Sequence, residues 1–203
     1  MKILIAFYFC TGFGYAIGAT FIVAILGRFE FFSQIGSVVW ILVGIAAIPS
    51  SFLWDRIARR TSTVTALMVA NVLETIAIVI PRFTDGILEN VVGAVLFGSS
   101  FVGIVSLTLA LVGRKYPANP AKAMAKLTLS YGVAQVIAPA LAGYLAARYG
   151  GYGDSLLLTG GVLTLGTMLL FSLQSSVGLT VVDGSNQEGG TTSILISSNI
   201  KDI

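Results

Sequence analysis

Six long apolar runs, separated by short polar or charged connections, make up most of the chain. They extend from Ile3 to Gly27, Ile35 to Trp54, Ser62 to Pro81, Leu88 to Gly113, Leu127 to Ala147 and Ser155 to Leu173. A helix rises about 1.5 Å per residue, so roughly 20 residues cross the ~30 Å of bilayer hydrocarbon, and each run is of that order. None alternates polar and apolar residues with a period of two, and all are about twice as long as a barrel strand. Backbone amides in lipid have only one another as partners, a demand that each helix meets within itself. The pattern predicts an all-α integral membrane protein, a six-helix transmembrane bundle over residues 1–174.

After Leu173 the chain turns to Ser, Gly, Thr and Asn, ending GSNQEGGTTSILISSNIKDI. Such a segment has too little apolar surface to offset its ordering entropy, and residues 175–203 are expected to form a polar, disordered cytoplasmic tail.

Composition reinforces the lipid setting. Only 10% of the 203 residues are charged, against about a quarter in a soluble domain, and mean hydropathy is +0.92. The formal charge of +3 does not gather with aromatics, so no nucleic-acid partner is expected. The chain has no histidine, which removes imidazole relays, Ser-His triads and His-based metal sites. One cysteine, Cys10, cannot form an intramolecular disulfide. With no nucleotide-binding loop, metal cluster or nucleophile-base set, neither an enzyme, a cofactor nor a metal site is expected. The apolar run after Lys2 has no cleavage pattern before Arg28 and is expected to remain as the first helix.

The basic residues predict orientation. With the amino terminus inside, Lys2, Arg56, Arg59, Arg60, Arg114, Lys115, Lys122, Lys126 and Lys201 fall on the cytoplasmic side, leaving Arg28, Arg82 and Arg148 outside. Both termini are therefore expected in the cytoplasm, with the protein multi-pass in the plasma (inner) membrane. Small residues such as Gly14 and Gly18, or Ala138, Ala142 and Gly143, supply faces for close helix packing.

Few polar groups interrupt the runs. Glu74, in VANVLETIAIV, is the one ionisable residue deep inside a run. A charge at the bilayer centre costs about 2.5–3.5 kcal/mol on insertion scales, so Glu74 is expected to face protein or water and is the candidate coupling carboxylate; the alternative is a neutral packing residue. Tyr8, Thr11, Tyr15 and Gly18 form one narrow stripe on the first run. Ser99, Gly103, Ser106 and Ala110 form a second on the fourth run, and Thr128, Tyr131 and Gln135 a third on the fifth. Each stripe suits either interhelical hydrogen bonds or contact with a solute. Pro139, one turn after Gln135, removes a backbone bond and is expected to bend its helix.

Between the second and third runs the chain reads Ser51-Phe52-Leu53-Trp54-Asp55-Arg56-Ile57-Ala58-Arg59-Arg60. This resembles the loop signature of the major facilitator superfamily, G-x-x-x-D-R-x-G-R-R, with Asp55, Arg56, Arg59 and Arg60 matching and Ser51 and Ala58 in place of glycine. The stretches GFGYAIGATF, VVWILVGIAAIPSSFLWDRIARR and APALAGYLAARYG, and the count of six spans, add to the likeness. Together they resemble the carboxyl-terminal six-helix half of the YbfB/YjiJ-like branch.

The resemblance implies one half of a major-facilitator-type fold, in which two six-helix bundles enclose a cavity that opens alternately to either side. It implies a conformational latch at Ser51, Asp55, Arg56, Arg59 and Arg60, and a cavity lined by Tyr8, Thr11, Tyr15, Ser99, Ser106, Tyr131 and Gln135. The implied function is transport of a small solute by a secondary carrier, the partners being the lipid bilayer, the solute and a second six-helix bundle from the same or another chain. The alternatives are a non-transporting membrane assembly or regulatory subunit, or a fragment inactive alone.

Overall fold

A computed structural model describes residues 1–26 and 36–185, and every regular element among them is helical. They are α1 (Lys2–Leu26), α2 (Gly36–Ala47), α3 (Ser50–Arg60), α4 (Thr63–Val79), α5 (Ile87–Lys115), α6 (Pro120–Tyr149) and α7 (Gly153–Ser185), with a 3-10 turn at Ile80–Arg82. Six stretches are long and apolar enough to cross a membrane: Lys2–Phe21, Trp40–Arg60, Thr63–Arg82, Ile87–Lys115, Pro120–Tyr149 and Gly153–Ser175. The bundle expected from the hydropathy pattern is the one observed.

The second span differs from expectation in two ways. It is broken between α2 and α3 at Ile48 and Pro49, because proline has no amide to continue the ladder; the Ile48 amide instead reaches Gly44 O at 3.2 Å and Ile45 O at 3.3 Å. It also runs on to Arg60, so the stretch expected as a connection is helix, and the true connection is Thr61–Ser62. Ser62 caps α4 by accepting the Thr65 amide at 3.0 Å. Pro139 leaves α6 continuous from Pro120 to Tyr149. That helix closes on Gly150 with φ +76°, a left-handed conformation suited to glycine. Helix continues to Ser185, into the segment expected as a tail, while residues 186–203, including Lys201, lie outside the described residues, as does Arg28.

Helix α1 is the centre of the bundle, packed by α6, α7 and α5; α4 lies between α5 and α7, and α2 and α3 lean on α5. Three glycines let α1 hold that position. A Cβ on Gly12 would stand 2.6 Å from the Tyr131 carbonyl oxygen, one on Gly14 would meet Leu163 of α7, and one on Gly18 would collide with Phe97 of α5. The expected Gly14/Gly18 step thus faces two different helices, and the backbone-to-backbone approach is at Gly12. Ala138 and Ala142 are buried with Ala134 against the core, whereas Gly143 has open space beside it.

The core has two apolar storeys. One holds Phe13, Ile17, Val43, Ile78, Phe97, Ala134 and Leu163; the other holds Leu4, Phe7, Trp54, Leu67, Ile104, Leu127 and Leu170. Between them in chain position, on α1, α3, α4, α5 and α7, come Thr11, Ser50, Asn71, Glu74, Ser100 and Thr167. Of these, Thr11, Ser50, Asn71, Glu74 and Ser100 are buried. They form a polar layer midway along the spans.

Candidate functional site

Hydroxyls of this layer are mostly satisfied close to home, as Ser and Thr in helices tend to be. Thr11 donates to Tyr8 O at 3.0 Å and Ser100 to Leu96 O at 2.7 Å. Ser50 reaches further, donating to Ser99 O at 2.6 Å; Trp54, one turn along α3, donates its Nε1 to the same oxygen at 2.7 Å. The Trp54 indole fills the space left by Gly103.

Asn71 and Glu74 lie three residues apart on α4, hence on one face, turned into the bundle. The Asn71 amide donates to Leu163 O and to Thr167 Oγ1, both at 2.8 Å, joining α4 to α7. Gly166 makes room there: a Cβ on it would lie 3.2 Å from that of Cys10 and 3.7 Å from Asn71 Nδ2. Glu74 is 1% exposed. Asn71 Oδ1 and Glu74 Oε2 are both buried without a hydrogen-bond partner among the described residues. Each buried acceptor left without a donor carries a desolvation cost of about 1–3 kcal/mol.

Tyr131 belongs to a chain of rings that crosses three helices. Its ring centroid is 4.8 Å from Tyr8 and 6.0 Å from Tyr15, both on α1. Tyr15 continues to Phe101 of α5 at 5.2 Å, and Phe101 to Phe97 at 5.3 Å. These spacings fall in the favourable range for aromatic pairs. Three tyrosines from two separate stripes therefore come together, along with two phenylalanines that the polar pattern passed over.

The other stripe residues go elsewhere. Ser99 donates to Leu96 O at 3.0 Å while its carbonyl serves α3, and Ser106 donates to Gly103 O at 3.0 Å. Gln135, one turn beyond Tyr131, is half-buried and makes no hydrogen bond among the described residues; Thr128 is exposed.

At the end of α3, Asp55 Oδ2 accepts from Arg59 Nε at 2.8 Å and Nη2 at 2.6 Å. The pair is an i,i+4 contact within one helix, with side chains 46% and 78% exposed. Ser51, Arg56 and Arg60 are exposed, and Arg56 and Arg60 make no ion pair among the described residues. The buried hydroxyl at this site is that of Ser50, the neighbour of the expected Ser51.

A family profile described as "Uncharacterised MFS-type transporter YbfB" matches residues 1–171. The chain belongs to this family. No curated protein matches it. Membership and the six spans make it a multi-pass membrane protein of a transporter family.

Within this MFS-type bundle the structure buries the expected Glu74 and brings the expected Tyr8, Tyr15 and Tyr131 together; the sequence pattern had not singled out their neighbours Phe97 and Phe101, nor the interhelical contacts of Asn71, Thr167, Ser50 and Trp54. The i,i+3 spacing of Asn71 and Glu74 was a usable signal, since it sets both on one helical face. Thr167 had none, because its partner lies 96 residues away.

Proposed function

We propose that this bundle carries a small solute across the plasma (inner) membrane by alternating access, as half of a secondary carrier completed by a second six-helix bundle. The observation that supports this reading is the placement of Glu74: a carboxylate turned inward, in a mid-span polar layer, in a chain of a transporter family. A group there is costly to keep unless it is used, and transporters of this architecture bind near the midplane. In the proposed cycle Glu74 takes up a proton when the cavity faces one side and releases it when the cavity faces the other. Tyr8, Tyr15 and Tyr131 present the rings and hydroxyls that orient the solute. Asp55 holds Arg59 in one state and exchanges it for a guanidinium of another helix in the other, with Arg56 and Arg60 beside it.

Glu74→Gln keeps the shape of the side chain and cannot ionise. In reconstituted vesicles, solute exchange down its gradient is expected to persist, while accumulation driven by a pH difference is expected to disappear. Undiminished pH-driven accumulation would move the coupling out of this bundle and leave Glu74 a packing residue. Loss of exchange in the unmodified protein would instead favour a non-transporting subunit.

The proposed orientation has both termini in the cytoplasm, on the strength of nine basic residues against three. A Lys201→Cys variant should resist an impermeant thiol reagent added to intact cells. Ready labelling would invert the topology.

A further inference from the structure

The turn between α5 and α6, at residues 116–119, closes one side of a pocket of about 360 Å³ at the bundle end that also carries Arg56, Arg59 and Arg60. Lys115, the last residue of α5, lines it together with Lys122 and Lys126 of α6. The two α6 lysines are one turn apart, each followed immediately by a residue of the buried stripe, Ala123 and Leu127. Both lysines are exposed and line the pocket from α6.

Among the described residues lining this pocket none is acidic, so the three lysines and the amino group of Met1, which also lines it, share the recess with no carboxylate between them. Asn119 stands at the N-cap of α6 without a side-chain bond to the helix, and Pro120 follows it. The amides of that first turn and the positive end of a 30-residue helix therefore add to the lysine field instead of being quenched by a cap. Tyr116, Pro117 and Ala118 of the turn complete the lining.

We infer that this pocket binds the phosphate headgroup of an anionic phospholipid, the ammonium groups of Lys115, Lys122 and Lys126 holding the phosphate while the acyl chains run down the exposed face of α6. The volume suits a glycerophosphate headgroup. A basic recess between spans, at the depth where headgroups lie, meets anionic lipid at the high local concentration of the bilayer itself. The exposed side chains of Leu129, Val133 and Val136 continue the path for the chains below Lys126.

The test is retention of phosphatidylglycerol by the protein drawn from nanodiscs of phosphatidylcholine doped with phosphatidylglycerol, counted by native mass spectrometry. The unmodified protein should retain phosphatidylglycerol in preference to phosphatidylcholine. Lys122→Gln/Lys126→Gln should bind it roughly 10- to 30-fold more weakly, as expected for removing two cations near an anionic surface. Lys122→Arg/Lys126→Arg should keep it. Arg56→Gln/Arg60→Gln removes the same charge from the same end but outside the pocket, and should retain the lipid. Equal loss in that control would reduce the effect to a general surface field and overturn the site. So would the absence of any preference in the unmodified protein. Inorganic phosphate titrated at constant ionic strength should fail to release the lipid; release would assign the pocket to a free anion. If the glutamine pair does not fold, Lys126→Gln alone should show a smaller loss in the same direction, and no loss would overturn the site.

Discussion

The middle of the bundle and its arginine-rich end handle their carboxylates in opposite ways. Asp55 has a two-pronged partner and little burial, whereas Glu74 has full burial and an oxygen with no partner among the described residues. An exposed i,i+4 ion pair is worth about 0.3–0.5 kcal/mol, because water offers each ion nearly what the other does. A buried unpaired acceptor costs about 1–3 kcal/mol, because nothing replaces the water it lost. The pair that looks most like an interaction thus contributes least to stability. The group without a partner is where a change of proton or solute has leverage.

Three substitutions sharpen that contrast. The largest effect is expected at Asn71→Ala, which removes two interhelical bonds at about 0.6 kcal/mol each and opens a void between α4 and α7, about 2 kcal/mol in all. Denaturant titration in mixed micelles measures it, and a loss below about 0.5 kcal/mol would mean that the layer does not hold α4 to α7. Trp54→Phe keeps a ring beside Gly103 and deletes one donor, leaving Ser99 O to Ser50. A loss of about 1 kcal/mol is expected by the same titration, between the middle and the end in size as in position. Asp55→Asn should change stability by less than about 0.5 kcal/mol. Its effect should appear in kinetics instead: fluorescence-detected interconversion of the two cavity orientations slows, with solute affinity unchanged. A stability loss as large as that at Asn71 would show that the end is held by its ion pair after all.

The spans were legible because hydropathy over about 20 residues reports a bulk property, the cost of leaving lipid, that no tertiary contact reverses. The break at Pro49 was not read from the sequence, although the proline stands in the letters Ile48-Pro49-Ser50, because a proline inside an apolar run does not announce whether a helix bends or stops. α6 runs unbroken through Pro139, while the second span is interrupted at Pro49. The stripes were only half legible. Tyrosine hydroxyls cannot bond their own helix backbone, so Tyr8, Tyr15 and Tyr131 keep their chemistry for neighbouring helices and meet. Serine and threonine fold their hydroxyls back onto carbonyls three or four residues earlier, so Thr11, Ser99 and Ser106 mark polar letters without marking a polar face. The Asn71 to Thr167 bond depends on which helix lies beside which, and no local pattern encodes that.

The Ser99 carbonyl has a mechanical meaning. Two donors one turn apart on α3 grip a single oxygen on α5, like two spokes meeting at a hub. Sliding α3 lengthwise stretches one spoke and compresses the other, and rolling it lifts both away. The stretch bearing Asp55 begins one residue beyond Trp54. A tug on that carboxylate therefore either drags α5 along as part of the same lever or snaps both spokes together.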